Sequence, residues 1–310
     1  MNMMTTNTTT NGYQNCIDAS KRMRWDIEED VIRGRHFGTA DKFLPDGLTQ
    51  MDKANGLSSG ERVFISQIQG RTYAQVFGVA ERFVNAKIVE LSNDHIFADQ
   101  AALEAMVRFS DEELKHQALF RRVDEMCEQA MPAGYHFDAD ANDVGQVVMS
   151  KGSWAVLALT LHIELFTQSH YRESIDEDAS VSDLYRDVFK FHWREECQHA
   201  IIDEMELRRI DAETSPVGRD IGVDEFIELV GAVDGILQGQ AVADTNYFAE
   251  TIDRDVSAEE HAEICDMILR AYRWQYIISG AEHRRFQKVL GDLLSPAQIS
   301  RIEAAVDTLR

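Results

Sequence analysis

Residues 112–116 read Glu112-Glu113-Leu114-Lys115-His116, and residues 195–199 read Glu195-Glu196-Cys197-Gln198-His199. On a helix, the i, i+3 pairs Glu113/His116 and Glu196/His199 each place a carboxylate and an imidazole on one face, which is a metal-ligand spacing. A single Glu-x-x-His says little in a chain this rich in glutamate; two with the same preceding glutamate say more. Each motif also has a glutamate 32 residues upstream, Glu81 and Glu164, far enough to climb one helix, turn and return antiparallel to the same height. The two sets repeat at a constant offset of 83 residues.

The helical faces agree with the spacing. Ala74, Phe77, Glu81, Val84, Ile88 and Leu91 form a three-four stripe in which Glu81 is the only charge, and Met106, Phe109, Glu113, His116, Phe120 and Val123 form another. A carboxylate in an apolar stripe must be paired, protonated or coordinated, because desolvating it bare is costly. Four carboxylates converging on two imidazoles favour coordination over the competing reading, a buried salt-bridge network. Oxygen and imidazole donors without thiolate suit iron or manganese.

The rest of the chain is consistent with a large helical domain. With 310 residues, 44% hydrophobic and 27% charged, it can bury an extensive core. Its four prolines, Pro45, Pro132, Pro216 and Pro296, all fall where apolar periodicity lapses or restarts, so the fold class is all-α. Helices are predicted over about 16–34, 59–91, 97–131, 143–174, 181–211, 223–252 and 258–290, with a last one opened by Ser295-Pro296-Ala297-Gln298. Ser58-x-x-Glu61 and Ser257-x-x-Glu260 have capping-box spacing. The polar, Thr/Asn-rich residues 1–12 are expected to be a disordered tail. Residues 13–310 are expected to form a single helical domain, with a metal-binding bundle in 59–211 and covering helices in 223–310.

Lys plus Arg number 31 against 54 Asp plus Glu, a net charge of -23 that should repel nucleic acid and anionic membrane surfaces. Cys16, Cys127, Cys197 and Cys265 are scattered, which fits a reducing, cytoplasmic setting. No signal peptide or membrane span is expected, since no apolar stretch follows a basic start and no uninterrupted apolar run approaches eighteen residues.

One glutamate from each of two helices, plus Glu-x-x-His from each of two others, is the ligand arrangement of di-iron and di-manganese carboxylate bundles. With Glu81, Glu113, His116, Glu164, Glu196 and His199 all in place, residues 59–211 resemble the ferritin-like di-metal superfamily. That resemblance implies a four-helix bundle with extra N- and C-terminal helices, holding two iron ions, with manganese or mixed manganese/iron as variants. Overlaying the halves shows polarity gathered on one side: Phe77 becomes Thr160, Val84 becomes Thr167, Phe109 becomes His192 and Phe120 becomes Asp203. His192 extends the second motif to His-x-x-x-Glu-x-x-His, which resembles the p-aminobenzoate N-oxygenase family, where an extra histidine of the last ligand helix joins the cluster.

The resemblance implies an oxygenase or hydroxylase that takes dioxygen and electrons from an external donor to act on a small organic substrate, in that family an aryl amine. His192 is then a seventh ligand, or else a buried neighbour. Asp203, four residues after His199, could accept a ring N–H or be a solvated helix residue, and Thr160 and Thr167 could act catalytically by hydrogen-bonding a bound oxygen species, or be ordinary bundle threonines bonded to their own i-4 carbonyls. Glu112 and Glu195 fall off the stripes and are expected to face solvent or pair with Lys or Arg. His162 and His170 are read as structural or exposed, and Tyr73 and Tyr171 as packing residues rather than radical sites.

Other functions compete. A di-iron acyl desaturase would share the motifs but needs a basic patch to dock an acidic carrier. A non-enzymatic ferritin-like iron protein would leave the C-terminal third without a task, and a ribonucleotide-reductase-like subunit or manganese catalase would differ in metal or radical content. The stretches FIELVGAVDGIL and MILRAYRWQYIISG of that C-terminal third are amphipathic, suited to covering the bundle or to a homodimer interface.

Overall fold

The computed structural model describes residues 2–51 and 56–310, residues 2–10 by their backbone alone. Helices follow in the order α1 (Asn2–Arg22), α2 (Asp46–Thr49), α3 (Ser59–Ser92), α4 (Gln100–Ala130), α5 (Ala141–Met149), α6 (Ser153–His170), α7 (Asp183–Glu213), α8 (Pro216–Thr251), α9 (Ala258–Arg273), α10 (Ser279–Ala281), α11 (Arg284–Leu293) and α12 (Pro296–Asp307). Among the described residues the only extended pairing is an isolated bridge between Lys42 and Val181. The fold is an all-α bundle, as the proline placement and apolar stripes imply.

Local chemistry sets the helix ends. Ser58 accepts from the Glu61 amide while Glu61 accepts from the Ser58 amide, and Ser295 and Gln298 do the same at α12. Three predicted spans are divided. The one over 143–174 breaks at Gly152, whose extended backbone caps α6. The one over 258–290 passes through a π-helical turn at Trp274–Ile278 and stops before His283, which caps α11. The one over 16–34 ends at Arg22, and a π-helical turn at Ile27–Ile32 closes on Arg33 at φ 54° and Gly34 at φ 67°.

Residues 2–12, expected as a disordered tail, belong to α1. No proline interrupts them, and the helix is held further on, where Tyr13, Cys16 and Ile17 are buried against α4 and α7. The four ligand helices close on one another: α3 packs on α4, α6 on α7, α4 on α7 and α3 on α6. Helix α8 covers α6 and part of α3, with α9 against it.

Over its most apolar 18 residues α8 has a mean hydropathy of 1.2, so by length and composition it could cross a membrane even though its apolar residues do not form one uninterrupted run. About two-fifths of that stretch is buried against the rest of the chain, and Asp234 of α8 pairs with Arg273 at 2.6 Å.

Gly70 of α3 lets the segment before α2 lie directly on the helix. A Cβ there would come within 2.5 Å of the Cβ of Phe43, an atom too close to its backbone to swing away, and Phe43 is itself fully buried. Gly70→Ala is therefore expected to lower stability by about 1–3 kcal/mol in denaturant titration; an unchanged midpoint would show that the loop, not the helix, can give way.

Candidate metal centre

Glu81 on α3, Glu113 and His116 on α4, Glu164 on α6, and His192, Glu196 and His199 on α7 are all buried. Their donor atoms form two compact groups that share His116 and Glu196. One consists of Glu81, His116, His192 and Glu196, the other of Glu113, His116, Glu196 and His199, and within each group all donor atoms lie within 4.8 Å of one another. One Glu196 oxygen lies 3.1 Å from His116 Nδ1 and 3.0 Å from His192 Nε2, while its other oxygen is 3.5 Å from His199 Nδ1. Glu113 reaches both motif histidines through one oxygen, at 3.5 Å from His116 and 3.0 Å from His199. Glu196 and Glu113 thus stand between the two histidines, where bridging carboxylates would be.

The two nitrogens of each motif histidine do different things. The outer nitrogens make hydrogen bonds: His116 Nε2 meets Glu195 at 2.9 Å and His199 Nε2 meets Glu112 at 2.8 Å. The inner Nδ1 atoms of His116 and His199 have no hydrogen-bond partner despite carboxylate oxygens at 3.0–3.1 Å, and both oxygens of Glu113 and one oxygen each of Glu164 and Glu196 are likewise unpartnered. Groups this close that do not bond one another converge on a common point, so the donor set fits a pair of metal ions. His192 stands with them, its Nε2 hydrogen-bonded to Glu81 at 3.0 Å and 3.0 Å from Glu196. Glu164 is buried beside Glu196 but lies outside the two compact groups.

Glu112 and Glu195, expected at the surface, are buried instead. A residue one position before a ligand is turned about 100° around the helix. On α4 and α7 that direction points at the other ligand helix, so each leading glutamate reaches the histidine of the opposite motif. Only Glu195 also has the foreseen lysine partner, Lys115 at 2.6 Å. The doubled glutamate at the same offset in both halves was the signal for this crossed pairing. Trp25 was not anticipated either: it stacks on the His116 ring at 6.2 Å and lies under the Lys115 ammonium at 4.0 Å, closing the outer side of that histidine.

The Asp203 expectation fails for a simple reason: Glu112 already holds His199 Nε2, and Nδ1 faces Glu113 and Glu196. Asp203 is fully buried, and burial pushes its pKa up to about 7 against the opposing effect of the nearby Thr160 hydroxyl. Thr160 and Thr167 donate to the carbonyls of Leu157 and Ile163 on their own helix, at 3.2 and 2.8 Å. His162 and His170 are structural, bonding the Ile277 carbonyl and the Tyr73 and Ser279 hydroxyls.

Without cations the cluster divides its protons unevenly. Burial, reinforced by the charge of Glu81, pushes Glu113 up to about 8, and burial with Glu196 raises Glu164 strongly. For Glu81 burial is outweighed by the neighbouring Glu113 carboxyl and the imidazoles of His116 and His192, which bring it down to about 2; His192 and His199 likewise overcome burial to lower Glu196. His116 and His199 rise well above their usual value, burial being overcome by the carboxylates around them. Compared with protein-family models, curated proteins and solved structures, the chain finds no match in any of the three.

Glu112→Ala or Glu195→Ala removes no donor but frees a histidine ring. Each should weaken metal binding about 10- to 100-fold in chelator competition, while Leu114→Ala on the exposed side of α4 should leave it unchanged. A second expectation concerns pH. The folded, metal-free chain keeps protons on Glu113 up to about 8, and on His116 and His199 well above 6.5, that the unfolded chain has released, so its stability falls as pH rises from 4.5 to about 8. The lowered Glu81 and Glu196 act in the opposite sense, their contribution being lost only as pH drops below 4.5. Bound metal replaces the extra protons, so thermal midpoints across this range should decline in metal-free protein and level off once metal is added.

Proposed function

We propose that the chain is a non-haem di-iron oxygenase that activates dioxygen to modify a small organic substrate. The observation that carries this reading is the buried, mutually close set of Glu81, Glu113, His116, His192, Glu196 and His199, in which the inner nitrogens of His116 and His199, both oxygens of Glu113 and one of Glu196 have no hydrogen-bond partner. The His-x-x-x-Glu-x-x-His run on α7 adds the resemblance to N-oxygenases. The donors are oxygen and imidazole, which suits iron or manganese. Two such ions, when bound, would supply the redox chemistry.

The protein's own residues supply the rest. Glu112 and Glu195 hold the two motif rings so that Nδ1 faces inward, which fixes the tautomer and raises the basicity of the nitrogen. Burial and neighbouring carboxylates raise Glu113 and Glu164, so both hold a proton more tightly than an exposed glutamate does, and they are protons that bound cations would displace. Trp25 over His116 and Phe109 against the His199 ring at 3.8 Å keep water off the cluster's flanks. Electrons come from an external donor under this reading.

Protein purified from iron-supplemented cells should contain about two irons per chain by metal analysis. Adding a chemical reductant should start oxygen consumption, with a transient visible absorption in stopped flow. Glu113→Ala with Glu196→Ala should remove both signals. Iron taken up without reductant-dependent oxygen consumption would point to an iron-holding protein instead, and no metal at all would overturn the reading.

A further inference from the structure

Between α3, α6 and α8 lies a cavity of about 70 Å³ that opens beside residues 137–144. Phe77, Ala80, Leu159 and Phe166 at its floor are buried, whereas Phe137 and Val144 at its mouth are half-buried. No charged side chain lines it, and Tyr276 contributes its ring alone, since the hydroxyl is sealed off. The amides and carbonyls of the three wall helices bond within each helix, so a molecule in the chamber meets almost nothing it could hydrogen-bond. Such a space holds water poorly; it stays dry or takes an apolar guest.

The cavity reaches the metal centre through one side chain. Phe77 forms part of the floor, and its ring meets His192 in a T-shaped contact at 5.4 Å. Ala80 and Ile163, also in the wall, immediately precede Glu81 and Glu164, so the chamber runs alongside both lone glutamates. The other flanks of the cluster are covered by Trp25 over His116 and Phe109 over His199. Dioxygen, which the proposed activity consumes, is a small apolar molecule that needs no hydrogen bond to be held and so partitions into hydrocarbon surroundings.

We propose that this cavity gathers dioxygen for the metal centre, taking it from solvent beside Phe137 and Val144 and releasing it past the Phe77 ring. A guest carrying a hydroxyl, carboxylate or ammonium group would lose its hydration with nothing to replace it and is excluded. That the guest is dioxygen rests on the di-iron reading. That the cavity takes small apolar guests does not.

Xenon, an apolar atom comparable in size to dioxygen, is the probe for the full metal-free chain, followed by methyl NMR. Its shifts should saturate at Ala80, Leu159, Ile163 and Val233, and methanol at matched concentration should cause none. Val233→Phe should abolish the xenon shifts by filling the chamber, and Leu159→Ala should enlarge it enough to admit benzene. In iron-loaded, chemically reduced protein, stopped-flow absorbance should show the reaction with dioxygen slowed severalfold by Val233→Phe at unchanged iron content. Saturating xenon should slow it likewise in the unaltered chain. Should Val233→Phe fail to fold, the xenon competition and Leu159→Ala decide. Xenon shifts that do not saturate, that survive Val233→Phe, or that methanol reproduces would overturn the cavity as an apolar site. Xenon binding with no effect on the dioxygen reaction would overturn its role as a supply. Xenon binding to a chain that takes up no iron would leave the apolar site standing and remove the di-iron reading, and dioxygen as the guest with it.

Discussion

Seven ionisable side chains buried between four helices are tolerable only if their charges and lone pairs are aimed, and the aiming is done by two hydrogen bonds. Glu195 to His116 and Glu112 to His199 turn each imidazole so that one nitrogen is held and the other is offered. If the rings rotated, Nδ1 would face the helix packing and the carboxylates of Glu113 and Glu196 would be left as repelling neighbours. Because both bonds run between α4 and α7, the same contacts that orient the ligands also clamp these helices together. Metal affinity, pH response and helix packing are therefore linked through one pair of contacts.

Much of this was written in the chain as spacing. The interval of 32 residues between each lone glutamate and its motif is a helix, a turn and a returning helix, and α3–α4 and α6–α7 are built that way. The apolar stripes around Glu81 and Glu113 foretold their burial. The burial of Glu112 and Glu195 is not legible this way, although Glu195 does pair with Lys115, because periodicity along one helix says which face a residue occupies, not what lies opposite that face. The helix breaks at Gly152 and His283 and the π-helical turns at Ile27–Ile32 and Trp274–Ile278 lie outside what periodicity predicts for a similar reason, since they depend on packing between elements distant in sequence.

Local preference was overruled most clearly at the N-terminus and in α8. The first residues have a composition typical of disorder, yet continue a helix fixed by Tyr13, Cys16 and Ile17 further on. Helix α8 combines a stretch apolar enough for lipid with the buried acids Asp234 and Asp244; Asp234 is paired with Arg273, and Asp244 is hydrogen-bonded by Thr72, Gln240 and Tyr272. Of these partners only Gln240, one helical turn before Asp244, lies on α8; Thr72, Tyr272 and Arg273 come from other elements.

The crossed pairs have a consequence for symmetry. A hairpin like α3–α4, carrying one glutamate and one EExxH motif, complements a second copy of itself, since its leading glutamate serves the partner's histidine and is served in return. Two identical hairpins related by a two-fold axis could assemble the same centre, but they would have to carry the same residue at both ends of it. His192 where its counterpart is Phe109, and Asp203 where its counterpart is Phe120, are differences that two identical hairpins could not carry. Holding both hairpins in one chain lets one end of the centre differ from the other.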